Sequence, residues 1–414
     1  MLDIKFIREN PNQVKTACKN KQIDVDIDRL LELDKKRREK LQELERLKAE
    51  QNKISRRGIL TAEQKEKARI IKEKIKKIKP DLEMIERELN ELMLQVPNIP
   101  LDDVPIGKDE TENVILKKVG KLPKFNFKPR SYLDIGERLD LIDVKRAAKV
   151  SGTRFGYLKN EAVLLEIALI NFAFQTLIKK GFVPVVPPVM IKEEMARGTG
   201  YFEATDRDEA YFIERDNLFL VGTAEQSLAA MHANEVLFER DLPKRYVGFS
   251  TCFRREAGSY GKDTKGIIRV HQFDKIEMFS FAKPEDSKKE HEFFLSLEEK
   301  LMSSLKLPYQ VVNICTGDLG RPAAAKFDIE TWIPSENRYR ETHSTSNCTD
   351  FQARRLNIRY RNKAGKLNFV HTINGTAFAI GRTIVAIIEN YQQKDGSIKV
   401  PKILQKYIGK KVIK

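Results

Sequence analysis

The chain has 414 residues and a formal net charge of +16, room for one large core plus an appendage or for two domains of ordinary size. With 41% hydrophobic and 33% charged residues it has the make-up of a soluble globular protein carrying a charge-rich appendage, and its pI near 9.4 points to a polyanionic partner, nucleic acid first and nucleotides second. Cys18, Cys252, Cys315 and Cys348 are scattered, with no C-x-x-C pair and no histidine at zinc-finger spacing; they read as buried thiols in a reducing cytoplasm, with neither a disulfide framework nor a zinc site.

The opening MLDIKFIRENPNQVK lacks the apolar core of a signal peptide. Apolar positions at Leu30, Leu33, Leu41, Leu44, Leu47 and Ile54 then predict a first long helix. A cleaner heptad seam, Ile71, Ile75, Ile78, Leu82, Ile85, Leu89, Leu92 and Val96, predicts a second. Between them lies SRRGILTAEQ, where Gly58 suits a turn and Thr61 with Gln64 forms a capping box. So short a connection argues for an antiparallel hairpin within one chain over a dimerising coiled coil. At ~1.5 Å per residue the rod is on the order of 45 Å long, kinked at Pro80. Lys35, Lys36, Arg37, Arg38, Arg56 and Arg57 decorate it, either as a solvated face or as a surface that reads phosphates.

The prolines of VPNIPLDDVPIG (Pro97, Pro100, Pro105) forbid further helix and place a boundary near residue 100, giving domains 1–100 and 101–414. The most apolar stretch, AVLLEIALINFAFQTLI from Ala162, is broken by Glu166, Asn171 and Gln175 and reads as an amphipathic core helix in preference to a membrane span. Beyond it, β-rich runs such as FIERDNLFLV, RYVGFSTCFRR, GIIRVHQFDKIEMFSF and KLNFVHTI alternate with helical stretches around 162–180, 285–305 and 376–391. The fold class is α+β: a helical hairpin followed by a mostly antiparallel sheet flanked by helices.

The stretch FRREAGSYGKDTKGIIRVHQFDKIEMF, Phe253 to Phe279, departs from plain alternation. Counting by twos from Arg269 places His271, Phe273, Lys275 and Glu277 on one strand face, with Ile268, Val270, Ile276 and Met278 on the other. Arg254 and Glu256 share a face of the preceding strand, and Gly258, Gly261 and Gly266 let the intervening loop approach a ligand. A solvated hairpin with incidental charges is one reading. A phenylalanine flanked by arginine and glutamate opposite a second Arg-x-Glu favours a ligand platform.

This stretch resembles motif 2 of the class II aminoacyl-tRNA synthetases in the form used by the seryl-tRNA synthetases. VPNIPLDDVPIGKDE, ERLDLIDVKRAAKVSGTRF, VGTAEQSL, HSTSNCTDFQARR and INGTAFAIGRTIVAIIENYQ are similar to the same family, in its order and over nearly the whole chain, and on them the chain is identified as a member. The resemblance implies a six- to seven-stranded antiparallel sheet with helices, preceded by an arm that grips the long variable arm of tRNA(Ser), and often of tRNA(Sec). Arg37, Arg38, Arg56 and Arg57 are its candidate contacts. KGFVPVVPPVM resembles motif 1, ending at Pro188, which implies a homodimer interface.

The resemblance also implies roles. Thr223, Ala224 and Glu225 line the L-serine site, with Glu225 available to the ammonium. Arg254 clamps the α-phosphate and the serine carboxylate, and Arg255 belongs to the same ATP-binding run. Glu256 accepts from the adenine amino group, Phe273 stacks on the base, Arg269 holds the terminal phosphates and Arg382 meets the γ-phosphate. Glu277 reads the serine hydroxyl and ammonium. Thr376 stands where many members have serine. Glu341, Thr342, His343 and Ser344 match the segment that holds ATP and metal, with Glu341 the Mg²⁺ ligand and His343 no general base. The implied reaction joins serine to AMP with release of pyrophosphate, then passes serine to the tRNA 3′ end, with Arg254, Glu277 and Arg382 as catalytic residues and no covalent enzyme nucleophile. Two other readings stand beside it. A paralogue charging a carrier protein would lack the arm and alter the serine pocket; an inactive RNA-binding scaffold would have lost Arg254, Glu277 or Arg382.

Overall fold

The structure, a computed structural model, describes residues 1–55, 61–202, 208–257 and 265–414. Arg56, Arg57, Gly58, Gly258 and Gly261 lie outside the described residues. The chain divides into two compact units, Met1–Pro97 and Asn98–Lys414.

In the first unit, Asp3 caps α1 (Ile4–Glu9) by accepting from the Lys5 amide at 2.7 Å, and Pro11 opens α2 (Pro11–Asn20). The long helices are α3 (Ile27–Ser55) and α4 (Ala62–Gln95). Thr61 and Gln64 form the expected capping box, with reciprocal bonds of 3.0 and 3.2 Å. The ion pairs Arg29–Glu88, Lys40–Asp81 and Glu50–Lys67 step forward along α3 as they step back along α4, so the helices are antiparallel. Leu44, Leu47, Ile54, Ile71, Ile78 and Leu82 pack between them. Near the end of α4 the buried position passes from the predicted Leu92 to Met93, because 3.6 residues per turn drifts from a strict heptad. Pro80 lies inside α4.

Arg37 and Arg38, candidate phosphate contacts, also pair with a buried carboxylate. Asp34 is 0% exposed and accepts from Arg37 Nη2 at 3.2 Å and Arg38 Nε at 3.1 Å, while Arg8 Nε approaches to 3.4 Å. A buried carboxylate needs paired charge. These three guanidiniums supply it and fasten α1 to α3. Asp34→Ala should therefore destabilise the docking of α1 by about 2 kcal/mol, below the full buried-pair figure because the arginines are partly solvated. Amide exchange over Ile4–Glu9 in the full chain should accelerate about thirtyfold; unchanged protection would refute this role.

Eight strands build the main sheet of the second unit: β1 (Val114–Val119), β2 (Val183–Val185), β3 (Lys244–Phe253), β4 (Gln272–Ala282), β5 (Tyr309–Asn313), β6 (Ala325–Ile333), β7 (Arg338–Asn347) and β8 (His371–Ala379). Their spatial order is β1-β5-β6-β7-β8-β4-β3-β2, antiparallel throughout except that β2 runs parallel to β3. It is thus one or two strands wider than the resemblance implied. Helices α5 (Glu161–Ile178), α7 (Ser287–Leu305) and α9 (Ile380–Asn390) share the main core, where Leu165, Phe172, Phe294, Leu301 and Ile384 meet Ile276, Met278, Ile373 and Phe378. On the other face, α6 (Ala224–Ala230) and α8 (Phe351–Leu356) cover Tyr246, Phe279 and Phe281.

Two sequence expectations shift here. Strand β4 begins only at Gln272, so Arg269 reaches the site from the preceding loop, while His271 lies against the Arg254 carbonyl at 3.0 Å and lines neither cavity of the site. Helix α9 begins at Ile380, not 376, because NGTAFA remains in β8.

Among the described residues, three β-bulges interrupt the sheet: one leaves Leu116 extra on the edge strand β1, and two lie beside the cleft. Pairing of β6 with β7 passes from Ile329–His343 to Glu330–Glu341, leaving Thr342 as the extra residue. Pairing of β4 with β8 passes from Ile276–Phe378 to Glu277–Thr376, leaving Ala377 extra. An extra residue reverses which face the following side chains occupy.

Candidate active site

Above the polar face of β4, β8, β7 and β6 lies a cavity of about 600 Å³, lined among others by Thr223, Glu225, Arg254, Lys275, Glu277 and Glu341. A smaller one of about 100 Å³ shares Arg254, Glu256, Arg269, Lys275, Glu341 and Ser344 with it and adds Phe273, Thr376 and Arg382. The sequence-predicted residues from four separate motifs thus line one cleft.

Glu277 forms the floor of the larger cavity. It is 2% exposed; its Oε2 pairs with Lys275 Nζ at 2.5 Å and accepts from the Thr223 hydroxyl at 3.2 Å. Thr376 is its cross-strand partner at the Ala377 bulge. Thr223 also caps α6 by accepting from the Glu225 amide at 3.2 Å, which sets the Glu225 side chain at the start of the helix. Glu225 is buried. Its Oε1 accepts from Gln352 Nε2 at 2.8 Å and Asn374 Nδ2 at 2.9 Å, and its Oε2 from the Tyr201 hydroxyl at 3.0 Å. Burial, then the neighbouring Glu277 charge, push the Glu225 carboxyl up to about 7 in spite of these donors. Ala224 departs from expectation, since its methyl packs into the core with Leu228 and Phe279 and does not line the cleft.

On the other side of the cleft, Glu256 takes a left-handed φ of +54°, and its Oε2 meets Arg269 Nη1 at 2.5 Å. The Arg254 guanidinium lies 5.3 Å from the centre of the Phe273 ring and donates from Nε to Gly222 O at 3.3 Å. Arg255, expected beside ATP, lies instead over Tyr211 at 5.2 Å and is not among the cleft-lining residues.

Arg382 Nη1 donates to the Glu341 carbonyl at 3.0 Å and to its Oε2 at 3.2 Å. Desolvation raises the Glu341 carboxyl, but Arg382, Lys326 and Arg254 outweigh it and bring the group down to about 2; the side chain remains 45% exposed to the cleft. Thr342 lines the smaller cavity while its hydroxyl is shared with Thr331 at 2.7 Å. His343 points the other way. It packs on Phe378 at 5.6 Å, and burial lowers it to about 4, so it is a neutral core histidine and not an ATP contact.

Among the described residues, no three His, Cys, Asp or Glu side chains cluster in a way that could hold a metal. One ionised, accessible carboxylate, Glu341, next to Ser344 suits Mg²⁺ that takes its remaining ligands from phosphates and water. Residues that the sequence reading left without a role are Tyr201, Lys275, Lys326, Gln352 and Asn374. Lys275, Gln352 and Asn374 lie inside recognised motifs, Lys275 and Asn374 each two residues from an assigned position.

Because native Glu225 keeps its proton up to about 7 whereas the unfolded residue loses it near 4.5, the folded protein binds more protons in between, and this site's contribution to stability falls as pH rises through that window. The loss is about 3 kcal/mol. Denaturant unfolding of the ligand-free protein at pH 5 and pH 8 should show that Glu225→Gln is spared this part of the decline; an identical decline in both proteins would refute the assignment.

Residues 1–100 match the family described as the seryl-tRNA synthetase N-terminal domain, and residues 211–391 match the tRNA synthetase class II core domain (G, H, P, S and T). A Serine--tRNA ligase of Dictyoglomus turgidum is 47% identical over 417 residues, which span 99% of this chain and 98% of the relative. The crystal structure of seryl-tRNA synthetase from Pyrococcus horikoshii complexed with ATP superposes with a TM-score of 0.93 at 44% identity, covering 100% of this chain and 99% of that one. The cytoplasmic Serine-tRNA ligase of Naegleria fowleri in complex with AMP gives 0.89 at 35% identity over 100% and 99%.

Proposed function

The chain belongs to the seryl-tRNA synthetase family, and we propose that it is a serine–tRNA ligase that joins L-serine to ATP as seryl-adenylate and then charges tRNA(Ser), with tRNA(Sec) a second acceptor where one exists. The observation that carries this reading is a charge count. Glu225 and Glu277 bring two carboxyl groups into one buried pocket beside the Lys275 cation, and without a ligand Glu225 keeps its proton up to about 7; for both to be ionised, a further cation must enter. The ammonium of an amino acid supplies it, and a hydroxyl on the substrate completes the hydrogen bonding of Glu277.

Arg254, Arg269 and Arg382 border the adjoining cavity with Phe273. This suits a nucleoside triphosphate whose base stacks on the ring and whose phosphates take the guanidinium forks. Arg254 borders both cavities, so one residue can hold the α-phosphate and the serine carboxylate for in-line attack, a matter of positioning and charge stabilisation. Glu341, with Ser344 beside it, would hold Mg²⁺, which when bound neutralises charge on the phosphates. The Glu225 and Glu277 carboxylates orient the serine, and no side chain is asked to form a covalent bond to it.

Arg37, Arg38, Arg56 and Arg57 are the proposed contacts of the arm with tRNA, Arg38 with half of its side chain exposed beside its bond to Asp34. Lys65, Lys72, Lys76 and Lys79 recur along one side of α4 and are candidates for phosphate contact. A homodimer is supported by exposed apolar side chains on the outer side of α5 (Val163, Leu164, Ile167, Ile178) that continue through Val183, Val186 and Met190 around the proline-rich motif 1. Four buried free thiols accord with a cytoplasmic setting.

The test is amino-acid-dependent exchange between ATP and pyrophosphate. Serine should support it, whereas alanine, glycine and cysteine should not, since a buried carboxylate left without its hydroxyl partner is costly. Equal exchange with alanine would overturn the reading. Glu277→Ala should lower kcat/KM for serine by about 3 kcal/mol, on the order of 150-fold.

The arm reading has its own test. Excision of residues 30–96 should spare exchange and abolish efficient transfer to tRNA(Ser). Transfer by the intact protein should also weaken more steeply with salt than exchange does. An armless protein that charges tRNA normally would reduce the hairpin to a spacer.

A further inference from the structure

Lys326 lies inside the cleft with no part in the assignments above. On β6 it stands opposite Ser346, as Asp328 stands opposite Ser344, and Asn374 of β8 is next across the sheet from Ser346. At ~4.8 Å per strand its backbone is roughly 10 Å from that of Asn374, within reach of the middle of the cleft for a lysine side chain. It lines the larger cavity with Asp318, Glu341, Ser344 and Ser346, and does not line the smaller one where the three arginines gather.

Its ammonium is 3.0 Å from Asp328 Oδ2, and the side chain is 21% exposed. Asp328 is buried, and its Oδ1 has no hydrogen-bond partner among the described residues. Burial works against the charge on Lys326, but Asp328 and Glu341 hold it and raise its pKa overall. The ammonium has three donors, of which Asp328 takes one. A cation kept charged in a largely dry wall, with donors to spare and a cavity in front of it, is equipped for an anion.

We propose that Lys326 binds a phosphate group of a substrate in this cleft. The inference rests on the reading of the cleft as a synthetase site, which offers two sources of that chemistry. One is the terminal phosphates of ATP, approached from the Glu341 side. The other is the phosphodiester that precedes the 3′-terminal nucleotide of tRNA, entering along Asp318, Gly320 and Pro322, which border the same cavity.

Lys326→Ala and Lys326→Arg in the full chain separate the sources. ATP binding is followed by calorimetry without amino acid, and binding of an RNA hairpin ending in CCA is followed by fluorescence. A loss of about tenfold or more in ATP affinity, largely restored by arginine, assigns the ATP phosphates. The same loss for the RNA, with ATP affinity unchanged, assigns the tRNA end. Both affinities within twofold of the parent protein overturn the proposal. So does an equal loss in the alanine and arginine variants accompanied by a lowered Tm, which would make Lys326 a structural partner of Asp328 alone. Should Lys326→Ala fail to fold because Asp328 is left unpaired, the double variant Lys326→Met/Asp328→Asn removes both charges and is held to the same affinity limits. Neither arm requires serine turnover, so a protein that binds ATP but does not activate serine counts against the proposed function and leaves the comparison at Lys326 intact.

Discussion

Two carboxyl groups, Glu225 and Glu277, are held out of water in one pocket, with Lys275 paired to Glu277. Much of the second unit is arranged around that imbalance. Four elements each send a neutral donor to it: Thr223 from the cap of α6, Gln352 from α8, Asn374 from β8, and Tyr201 from the turn after Gly200. Gln352 is itself fully committed, since its Nε2 also donates to Thr199 O at 3.1 Å and its Oε1 accepts from the Thr372 hydroxyl at 2.7 Å. Such a network has little freedom to relax. Neutral donors orient a carboxylate without cancelling its charge, which leaves the pocket receptive to a cationic ligand.

The two bulges beside the cleft explain how one sheet supports both this pocket and the phosphate side. Without the extra Thr342, strict alternation would send Glu341 to the core face with His343; with it, Glu341 stands across from Glu330 and opens onto the cleft. The Ala377 bulge works in the opposite sense. It keeps Asn374 and Thr376 over the cleft while turning Phe378 into the core, where it lies 6.1 Å from Phe172. Each bulge thus separates a ligand-facing residue from a core aromatic or imidazole that regular pleating would have put on the same side.

This also marks where the sequence is legible. The hairpin follows from heptads and a capping box, both local patterns, and Phe273, Lys275 and Glu277 fall on one face because they lie in an uninterrupted part of β4. A bulge leaves no sign in a count by twos, so the separation of His343 from Glu341 is not legible there, and Ala224 turns to the core because it opens helix α6 beside the cleft-lining Thr223 and Glu225. Asp34 offers a different lesson. Surrounded by lysines and arginines in sequence, it looks like one more surface charge, and only the approach of Arg8 from α1 makes it the buried anchor of the arm. Gln352 is likewise hidden because the carboxylate it bonds, Glu225, is 127 positions away, and Lys326 because its pairing with Asp328 two residues on looks like any strand charge pair.

In the proposed reading, the pocket discriminates among amino acids by two unequal means. Alanine is refused electrostatically, because it leaves Glu277 desolvated and without its hydroxyl partner. Threonine can make that bond, so only space refuses it. We propose that Thr376 limits that space from the adjoining smaller cavity, since it is buried and paired across from Glu277. Its β-branched side chain has few rotamers to retreat into. In that proposal the Thr376 methyl narrows the room for a larger substrate side chain, while its hydroxyl keeps its capacity to hydrogen-bond.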